Sequence, residues 1–383
     1  MDKALKEKII QLGKYMNGKS KFGIPLVKCI QECFMIVMNE EEIDYLLKIG
    51  NNSYTKDELQ QLWDMDDDRF KPFFKQIMSK SLLWQRREEG RFELVPIFPG
   101  WIEMYASGPL DEKRKELIIK FNEFEGLLKM INIPPVRAYM NNVNTKNMQK
   151  ESGRMSTVVA RGSKKVEINR KLTAEQTVYI EGEIYPMLEK HKDHLAVMNC
   201  FCRMKKHLEG GECSFDLPVD GCMAVGRMAD QLVETEIARK IELQEAVKLI
   251  AEFEDKGCIH TIYHYGISSD EEEVIVCNCC TDCCFLYGGY NEGSLSQLLM
   301  KAYFKPSIID ESKCVGCNIC NRYCPTGATW HDKQNKKLMF DIEKCIGCGQ
   351  CVTQCRFGVR EMIRDERNVF VKTKKKKDCK DRS

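Results

Sequence analysis

The chain has 383 residues, 43% of them hydrophobic, and a formal net charge of only +2. This length and hydrophobic content suffice for two or three domains with cores of their own, and the near-neutral charge excludes a polyanion-binding body by composition. No apolar run reaches the ~18–20 residues that span a bilayer, and the N-terminus lacks the apolar core of a signal peptide. Twenty-one cysteines in such a chain favour a reducing cytoplasm and metal binding over disulfides.

The first 80 residues carry helical patterns with recognisable start signals. Asn39 predicts the start of one helix. Thr55, with Glu58 three residues further on, is the signal of a capping box and predicts the start of the next. A third helical pattern follows residues 65–68 and contains Pro72, which we expect only in the opening turn of a helix.

Two strand-like runs, 82–86 and 91–95, come next and predict a β-hairpin. Three helices followed by a hairpin resemble a winged helix-turn-helix domain, which we assign to residues 1–110. The resemblance implies either DNA binding or protein docking, because a fold does not fix its function. The predicted recognition helix opens with three aspartates, which repel phosphate, so docking is favoured over DNA. The candidate DNA contacts are Arg69, Lys71, Lys75, Gln76, Lys80, Arg86, Arg87 and Arg91.

The chain between the hairpin and residue 190 is predicted to connect domains. Residues 96–109 are rich in proline, glycine and aromatic side chains and predict a linker. Amphipathic patterns at 112–130 and 175–190 predict helices, and the polar stretch 141–165 predicts a flexible crossing. We therefore assign a helical connector to residues 111–190.

Residues 191–300 form a predicted cysteine-rich metal or cluster domain. An amphipathic helix pattern ends before Gly257, and a short buried strand is predicted at 274–276. Five cysteines fall within residues 277–284, which is too dense for ordinary core packing, and adjacent cysteines strain any disulfide scheme. The candidate ligands are Cys200, Cys202, Cys213, Cys222, Cys277, Cys279, Cys280, Cys283 and Cys284.

Three interpretations of these cysteines stay open. The favoured one is a further iron–sulfur cluster. A structural zinc site is the second, because Zn²⁺ prefers four tetrahedral thiolates; its ligands would be Cys200, Cys202, Cys213 and Cys222. The third is a redox-active thiol pair within 277–284. We expect His260 and His264 to make local hydrogen bonds rather than bind metal.

Two matched rows of four cysteines follow, each with the spacing C-x2-C-x2-C-x3-C. A tight C-x2-C-x2-C turn presents three thiolates to one cluster, so the fourth ligand comes from elsewhere; in this spacing it is the last cysteine of the other row. One predicted [4Fe-4S] cluster uses Cys314, Cys317, Cys320 and Cys355. The other uses Cys345, Cys348, Cys351 and Cys324. Zinc sites more often show two separated C-x2-C pairs.

The segment at 306–371 thus resembles a two-cluster bacterial-type ferredoxin. The second row departs from the usual pattern, because Arg356 stands where a proline commonly follows the last cysteine; its charge is expected to raise the potential of the nearby cluster. Residues 372–383 hold six lysines, one arginine and two aspartates, a net charge of +5. We predict a disordered basic tail there, with nucleic acid, anionic lipid or an acidic partner as alternative contacts.

Beyond the ferredoxin module, the phrases at 199–203, 220–226 and 277–280 are similar to segments of multidomain iron–sulfur proteins of anaerobes. The resemblance implies a cysteine-rich domain ahead of the ferredoxin and electron transfer as the general role. It names no substrate, donor or acceptor.

The sequence therefore predicts an α+β protein, cytoplasmic and without a membrane span, that relays single electrons through two [4Fe-4S] clusters to a redox partner protein. Neither a dinucleotide fingerprint nor a P-loop is visible, so whether the chain is itself an enzyme is left open. The alternatives are a redox-sensing winged-helix DNA-binding regulator and an iron–sulfur subunit of an oxidoreductase.

Overall fold

A computed structural model describes most of the chain as two compact units. The described residues are 2–19, 23–85, 90–130, 156–158, 181–263, 274–292, 299–302 and 304–365. The first unit comprises 1–131, 191–249 and 265–275, and the second comprises 132–190, 250–264 and 276–383. Both contain helices and strands, which confirms the broad α+β class. The predicted division into five domains stays a prediction.

Fourteen α-helices and thirteen strands are described. The helices are α1 (Lys3–Gly18), α2 (Lys28–Val37), α3 (Glu40–Ile49), α4 (Lys56–Trp63), α5 (Asp67–Ser79), α6 (Ile102–Ala106), α7 (Glu112–Met130), α8 (Glu181–Lys190), α9 (Phe201–Leu208), α10 (Arg227–Glu234), α11 (Leu243–Asp255), α12 (Phe285–Glu292), α13 (Ile319–Arg322) and α14 (Gln350–Thr353). The strands are β1 (Leu83–Gln85), β2 (Phe92–Leu94), β3 (Ser156–Val158), β4 (Leu195–Asn199), β5 (Asp220–Val225), β6 (Arg239–Lys240), β7 (Ile259–Tyr263), β8 (Val274–Cys279), β9 (Leu299–Met300), β10 (Phe304–Ile308), β11 (Thr329–Asp332), β12 (Lys337–Phe340) and β13 (Arg360–Arg364).

Helices α3 and α4 begin where their capping signals predict. The Asn39 side chain accepts a hydrogen bond from the Glu42 N–H at 2.8 Å, and the Glu42 carboxylate accepts one from the Asn39 N–H at 2.8 Å. Thr55 and Glu58 make the same reciprocal pair at 3.2 and 2.9 Å. Each box satisfies two N–H groups that a helix start leaves without an intrahelical partner.

Two predictions about this region are wrong. Pro72 lies in the second turn of α5, which begins at Asp67, and not in its opening turn. Residues 96–109 are no linker, since a π-helical turn at Ile97–Trp101 leads into α6. Trp101 is fully buried there, with its ring centroid 4.9 Å from that of Phe34. The aromatic residues that suggested a linker are core residues of the first unit, and their burial holds this segment in a helix.

The front of the first unit has the element order α3–α4–α5–β1–β2. Strands β1 and β2 pair antiparallel, with Leu83 opposite Leu94, and Tyr54 makes an isolated bridge to Phe92. Helices α1 and α2 precede this arrangement. The order is compatible with a winged helix, but the winged-helix assignment stays a prediction.

The rest of the first unit carries three strands in the order β6–β4–β5, all antiparallel. The β4–β5 register shifts between Met198 and Asn199, directly before Cys200. Helix α7 packs against α9, where the ring centroids of Phe121 and Phe201 lie 5.8 Å apart. These contacts join the front helices to the segment that carries Cys200–Cys222.

In the second unit, β3 pairs antiparallel with β7 and parallel with β9. The prediction of a flexible crossing at 141–165 is therefore wrong at 156–158, and its other residues lie outside the described part of the chain. The helices predicted at 112–130 and before Gly257 are confirmed as α7 and α11, and the strand predicted at 274–276 is confirmed as part of β8. Of the helix predicted at 175–190, the described part begins at Glu181.

In the second unit, the first cysteine row lies between β10 and β11 and the second row between β12 and β13. Strand β10 pairs antiparallel with β13, and β11 pairs antiparallel with β12. The segment that carries the rows is hydrogen-bonded to residues 258 and 291 of the same unit. Gln350 donates from Nε2 to the Cys258 carbonyl at 2.6 Å, and Asn291 donates from Nδ2 to the Pro325 carbonyl at 2.7 Å. The C-terminal rows thus have a fixed support within their own unit.

Candidate metal centre

The two cysteine rows have the same backbone design. Each row begins in a loop and enters a one-turn helix, α13 or α14. Gly316 and Asn318 in the first row have φ angles of +70° and +59°, and Gly347 and Gly349, at the matching positions of the second, both have +80°. Left-handed residues two and four positions after the first cysteine curl each loop so that its thiols face one side. The sequence repeat is therefore also a conformational repeat.

Two cavities lie between these loops. Cavity one is lined by four cysteines of the first predicted ligand set, namely Cys314, Cys317, Cys320 and Cys355, and also by Cys351. Cavity two is lined by Cys345, Cys348, Cys351 and Cys324. Each cavity therefore collects three thiols from one row and the last thiol of the other, and cavity one also collects Cys351. Which thiols share a cluster stays a prediction.

The first loop is closely packed against β11. A Cβ atom added to Gly316 would lie 3.1 Å from the His331 ring, so a side chain there would displace the ring or the loop. The His331 N–H in turn donates to Oδ1 of Asn318 at 3.1 Å. The loop conformation around cavity one is thus fixed by its neighbours as well as by its positive φ angles.

The cavities differ in exposure. Cys317 of cavity one is exposed, whereas Cys345 and Cys348 of cavity two are buried. Burial raises the pKa of the Cys348 thiol well above its usual range, and burial raises the pKa of Cys351 to about 12. Thiols in such places are protonated until a metal binds, because metal ligation requires the thiolate and releases the proton.

Backbone donors already point at two of the sulfurs. The Ala328 N–H donates to Sγ of Cys324 at 3.1 Å, and the Gly347 N–H donates to Sγ of Cys345 at 3.3 Å. Hydrogen bonds to ligand sulfurs are one of the means by which a protein sets the potential of an iron–sulfur cluster. Four thiols around each cavity are the donor set that a [4Fe-4S] cluster requires, so the residues present fit that group.

Arg360 is a residue of this site that the sequence did not single out. It belongs to β13, is 5% exposed and lines cavity one. Arg356, the arginine that the motif pointed to, also lines cavity one but is exposed to solvent. The available signal was weak: Arg360 occupies an inward position of an alternating strand, a place where arginine is uncommon.

The cysteines at 200–222 form a second group, in the first unit. Cys200 precedes α9, Cys202 lies in its first turn, and Cys222 lies on β5, opposite Met198. Hydrogen bonds from the Cys202 and Cys222 thiols lower the pKa of Cys200 well below its usual range, with a further contribution from the buried Arg203. Three members of the predicted zinc set are thereby close together. The fourth, Cys213, lies in the turn whose Asp216 N–H donates to the Cys213 carbonyl at 2.9 Å.

The cysteines at 277–284 belong to the second unit. Cys277 and Cys279 lie on β8, and the Cys283 N–H donates to Sγ of Cys280 at 3.3 Å. Cys284 belongs to a buried cluster with Ile259, Tyr287, Ile346 and Cys348, against which Cys279 also packs. Two of the cysteines at 277–284 therefore belong to or pack against the cluster that contains Cys348 of cavity two.

His260 makes one local hydrogen bond, of the kind predicted, through Nδ1, whereas the approach of its Nε2 to Glu254 lacks hydrogen-bond geometry. Its Nδ1 lies 2.6 Å from Oδ1 of Asn278 and its Nε2 lies 3.2 Å from Oε1 of Glu254, and the ring is fully buried. His264 lies outside the described residues.

Most of the predicted DNA contacts of the front helices have acidic partners within the fold. Arg69 pairs with Glu41 at 2.6 Å, Lys71 with Asp67 at 2.7 Å, and Lys80 with the fully buried Glu42. In the hairpin, Arg91 pairs with Glu58 at 2.7 Å, and Arg86 and Arg87 lie outside the described residues. These partners neutralise much of the positive charge that phosphate binding needs.

Residues 306–356 match the family model of the 4Fe-4S dicluster domain. The chain is therefore an iron–sulfur protein, and this segment binds at least one [4Fe-4S] cluster. No curated protein and no solved structure matches the chain. Among the described residues, no helix is long and apolar enough to cross a membrane.

Proposed function

We propose that residues 306–371 hold two [4Fe-4S] clusters with crossed ligands and relay single electrons between a donor and a partner protein. Cys314, Cys317, Cys320 and Cys355 would hold the cluster of cavity one. Cys345, Cys348, Cys351 and Cys324 would hold that of cavity two. The observation that carries the proposal is the lining of the cavities, each of which includes all four thiols of one set.

When bound, a [4Fe-4S] cluster supplies a one-electron couple whose potential depends on charge, hydrogen bonds to sulfur and burial. The protein's own contribution follows from the residues around each cavity. Burial of Cys345 and Cys348 keeps water away from cavity two, and the N–H groups of Ala328 and Gly347 donate to its sulfurs. Cavity one is more open, since Cys317 is exposed.

The partner is proposed to approach at cavity one. Val315 and Phe357 line this cavity and are 63% and 45% exposed, which leaves apolar side chains in water beside the thiols. Exposed apolar groups next to a redox site are suited to a short-lived protein contact. Cavity two is proposed to hold the inner of the two clusters, since Cys348 belongs to a buried group with Ile259, Cys284 and Tyr287.

We further propose that the middle cysteines of the second unit extend the relay. A third cluster or a thiol pair among Cys277, Cys279, Cys280, Cys283 and Cys284 would lie beside cavity two. The presence of Cys284 and Cys348 in one buried cluster supports this extension, because electron transfer between centres requires a short gap.

The test is an EPR spin count on anaerobically purified protein reduced with dithionite. Two ferredoxin clusters predict ~2 spins per chain from this module, and Cys314→Ala and Cys345→Ala should each remove about half of them. The control is Cys33→Ala, which alters a fully buried core thiol in α2 far in sequence from the rows and should leave the count unchanged. A protein that shows no reducible signal, or variants with the wild-type count, would refute the proposal.

A further inference from the structure

Arg360 is held in place beside cavity one by a short chain of hydrogen bonds. Its Nη2 donates to Oγ1 of Thr329 at 2.6 Å, and that hydroxyl donates to the Met339 carbonyl at 2.9 Å. Its guanidinium also lies over the Phe340 ring, 5.9 Å from the centroid. The side chain is therefore anchored at one nitrogen and along one face.

The other two nitrogens of the guanidinium, Nε and Nη1, take no part in these contacts. Among the described residues, Nε and Nη1 of Arg360 are buried and have no hydrogen-bond acceptor. Buried N–H groups of a charged side chain rarely lack a partner, because desolvation without one is costly. No carboxylate lines cavity one, so no acid there compensates the charge.

The thiols next to this charge belong to both rows. Arg360 is close enough to Cys320 of cavity one and to Cys351 for its charge to act on both thiols, and Cys351 lines both cavities. Arg360 itself lines cavity one but not cavity two. Its hydrogen-bond partner Thr329 and the Phe340 ring, however, line cavity two. The positive charge of Arg360 therefore lies between the two sites.

We infer that Arg360 is a positioning residue that donates from Nε and Nη1 to sulfurs around the two cavities and raises the reduction potential of the clusters proposed there. The inference rests on the proposed function. Reduction by one electron from an external donor makes the site more negative, and a buried cation favours that state because water does not screen it.

The exposed Arg356 provides a matched comparison. It carries the same charge and lines the same cavity, but it lies in water, where solvent and salt weaken its effect. If charge alone near the cavity set the potential, the two arginines would act alike. If burial and hydrogen bonding determine the effect of an arginine on the reduction potential, only Arg360 has a large effect.

The experiment is a potentiometric EPR titration of the full-length wild type and of Arg360→Gln, Arg360→Lys and Arg356→Gln. Iron content and spin count are measured first, so that failure of the two-cluster proposal is recognised in the wild type before any potential is compared. In Arg360→Gln, the reduced-to-oxidised ratio of one cluster at fixed potential should fall tenfold or more, which is about 59 mV for a one-electron couple. The other cluster should shift in the same direction.

The comparison variants complete the test. Arg356→Gln should change either ratio by less than about threefold, since exposed charges are screened. Arg360→Lys keeps the charge without the planar fork of donors and should fall between wild type and Arg360→Gln. An Arg360→Gln protein with wild-type iron, wild-type spins and unchanged midpoints would overturn the inference. If that variant does not assemble, an Arg360→Lys protein with wild-type midpoints at both clusters would overturn it as well.

Discussion

Glu103 in α6 is an acid whose carboxylate is shielded from water. One oxygen accepts a hydrogen bond from the Gly100 N–H, and Oε2 is buried with no partner in the described part of the chain. Burial raises the pKa of Glu103 well above 4.5. In the pH range between 4.5 and that raised pKa, the unfolded chain has released this proton while the folded chain retains it. The free energy of unfolding therefore falls as the pH rises through this range.

Glu103→Gln should remove this dependence, because a neutral amide can accept the same hydrogen bond without ionising. Thermal unfolding followed by tryptophan fluorescence between about pH 5 and about pH 8 measures the slope. Three of the four tryptophans, Trp63, Trp84 and Trp101, lie in the first unit and report on it. The control is Glu112→Gln, an acid whose side chain is 89% exposed. Equal slopes in wild type and Glu103→Gln would contradict this interpretation.

Residues of the candidate site were predictable to different degrees for a simple reason. The ligand spacing of the eight cysteines is a local sequence pattern, and a short, tight loop restricts the directions in which their thiols can point. Arg360 reaches cavity one only because β13 pairs with β10, about fifty residues earlier in the chain. No local pattern contains that information.

At the scale of elements, local chemistry predicted helix starts well. Asn39 and Thr55 fix the starts of α3 and α4 because their caps depend on neighbours three residues away. The segment 96–109 was mispredicted because proline and glycine suggested a linker, while the burial of Trp101 and Ile102 in the core decides its conformation. Tertiary packing outweighs local propensity at such places.

Gly257, just after the C-terminus of α11, packs against Tyr323 of the first cysteine row. This contact allows a test of which packing stabilises the second unit. Gly257 has φ +86°, and a Cβ atom added to it would lie 2.5 Å from the Tyr323 ring. Gly257→Ala should combine backbone strain with this clash and destabilise the unit by roughly 2–4 kcal/mol. Loss of bound iron on heating, followed anaerobically by the visible absorption of the clusters, measures the change.

Gly210 provides the matched control for that variant. Its φ is +78°, close to that of Gly257, but nothing lies within 4 Å of an added Cβ atom. Gly210→Ala should therefore cost only the backbone strain, about 1 kcal/mol. If both variants lose iron at the wild-type temperature, the packing of Gly257 against Tyr323 does not stabilise the module.

The capping boxes allow an independent test of what stabilises the front helices of the first unit. Thr55→Ala should lower the free energy of unfolding by about 1 kcal/mol, because the Glu58 N–H loses its acceptor. Thr55→Ser keeps the hydroxyl and should recover most of the loss. Urea unfolding followed by tryptophan fluorescence distinguishes them, and equal stability of the two variants would rule out the cap as the cause.

At the scale of the whole molecule, a predicted winged helix and an iron–sulfur module in one chain raise the question whether the protein binds DNA. The pairing of Arg69 with Glu41 and of Arg91 with Glu58 predicts weak phosphate binding. Retardation of duplex DNA from the upstream region of the gene should be absent at about 0.15 M salt, in both the reduced and the oxidised protein, since non-specific phosphate contacts weaken steeply with salt. Binding that persists at this salt and disappears on cluster oxidation would instead favour the redox-sensing regulator.

The claim on which the account depends is that the rows at 314–355 hold two four-iron clusters. Iron and acid-labile sulfide, counted per chain in anaerobically purified wild type, Cys317→Ala and Cys348→Ala, test it most directly. The wild type should contain at least ~8 iron atoms, with ~12 if the middle cysteines hold a further cluster, and each variant should lose about four. Variants with wild-type iron, or a wild type that holds zinc in place of iron, would contradict the account.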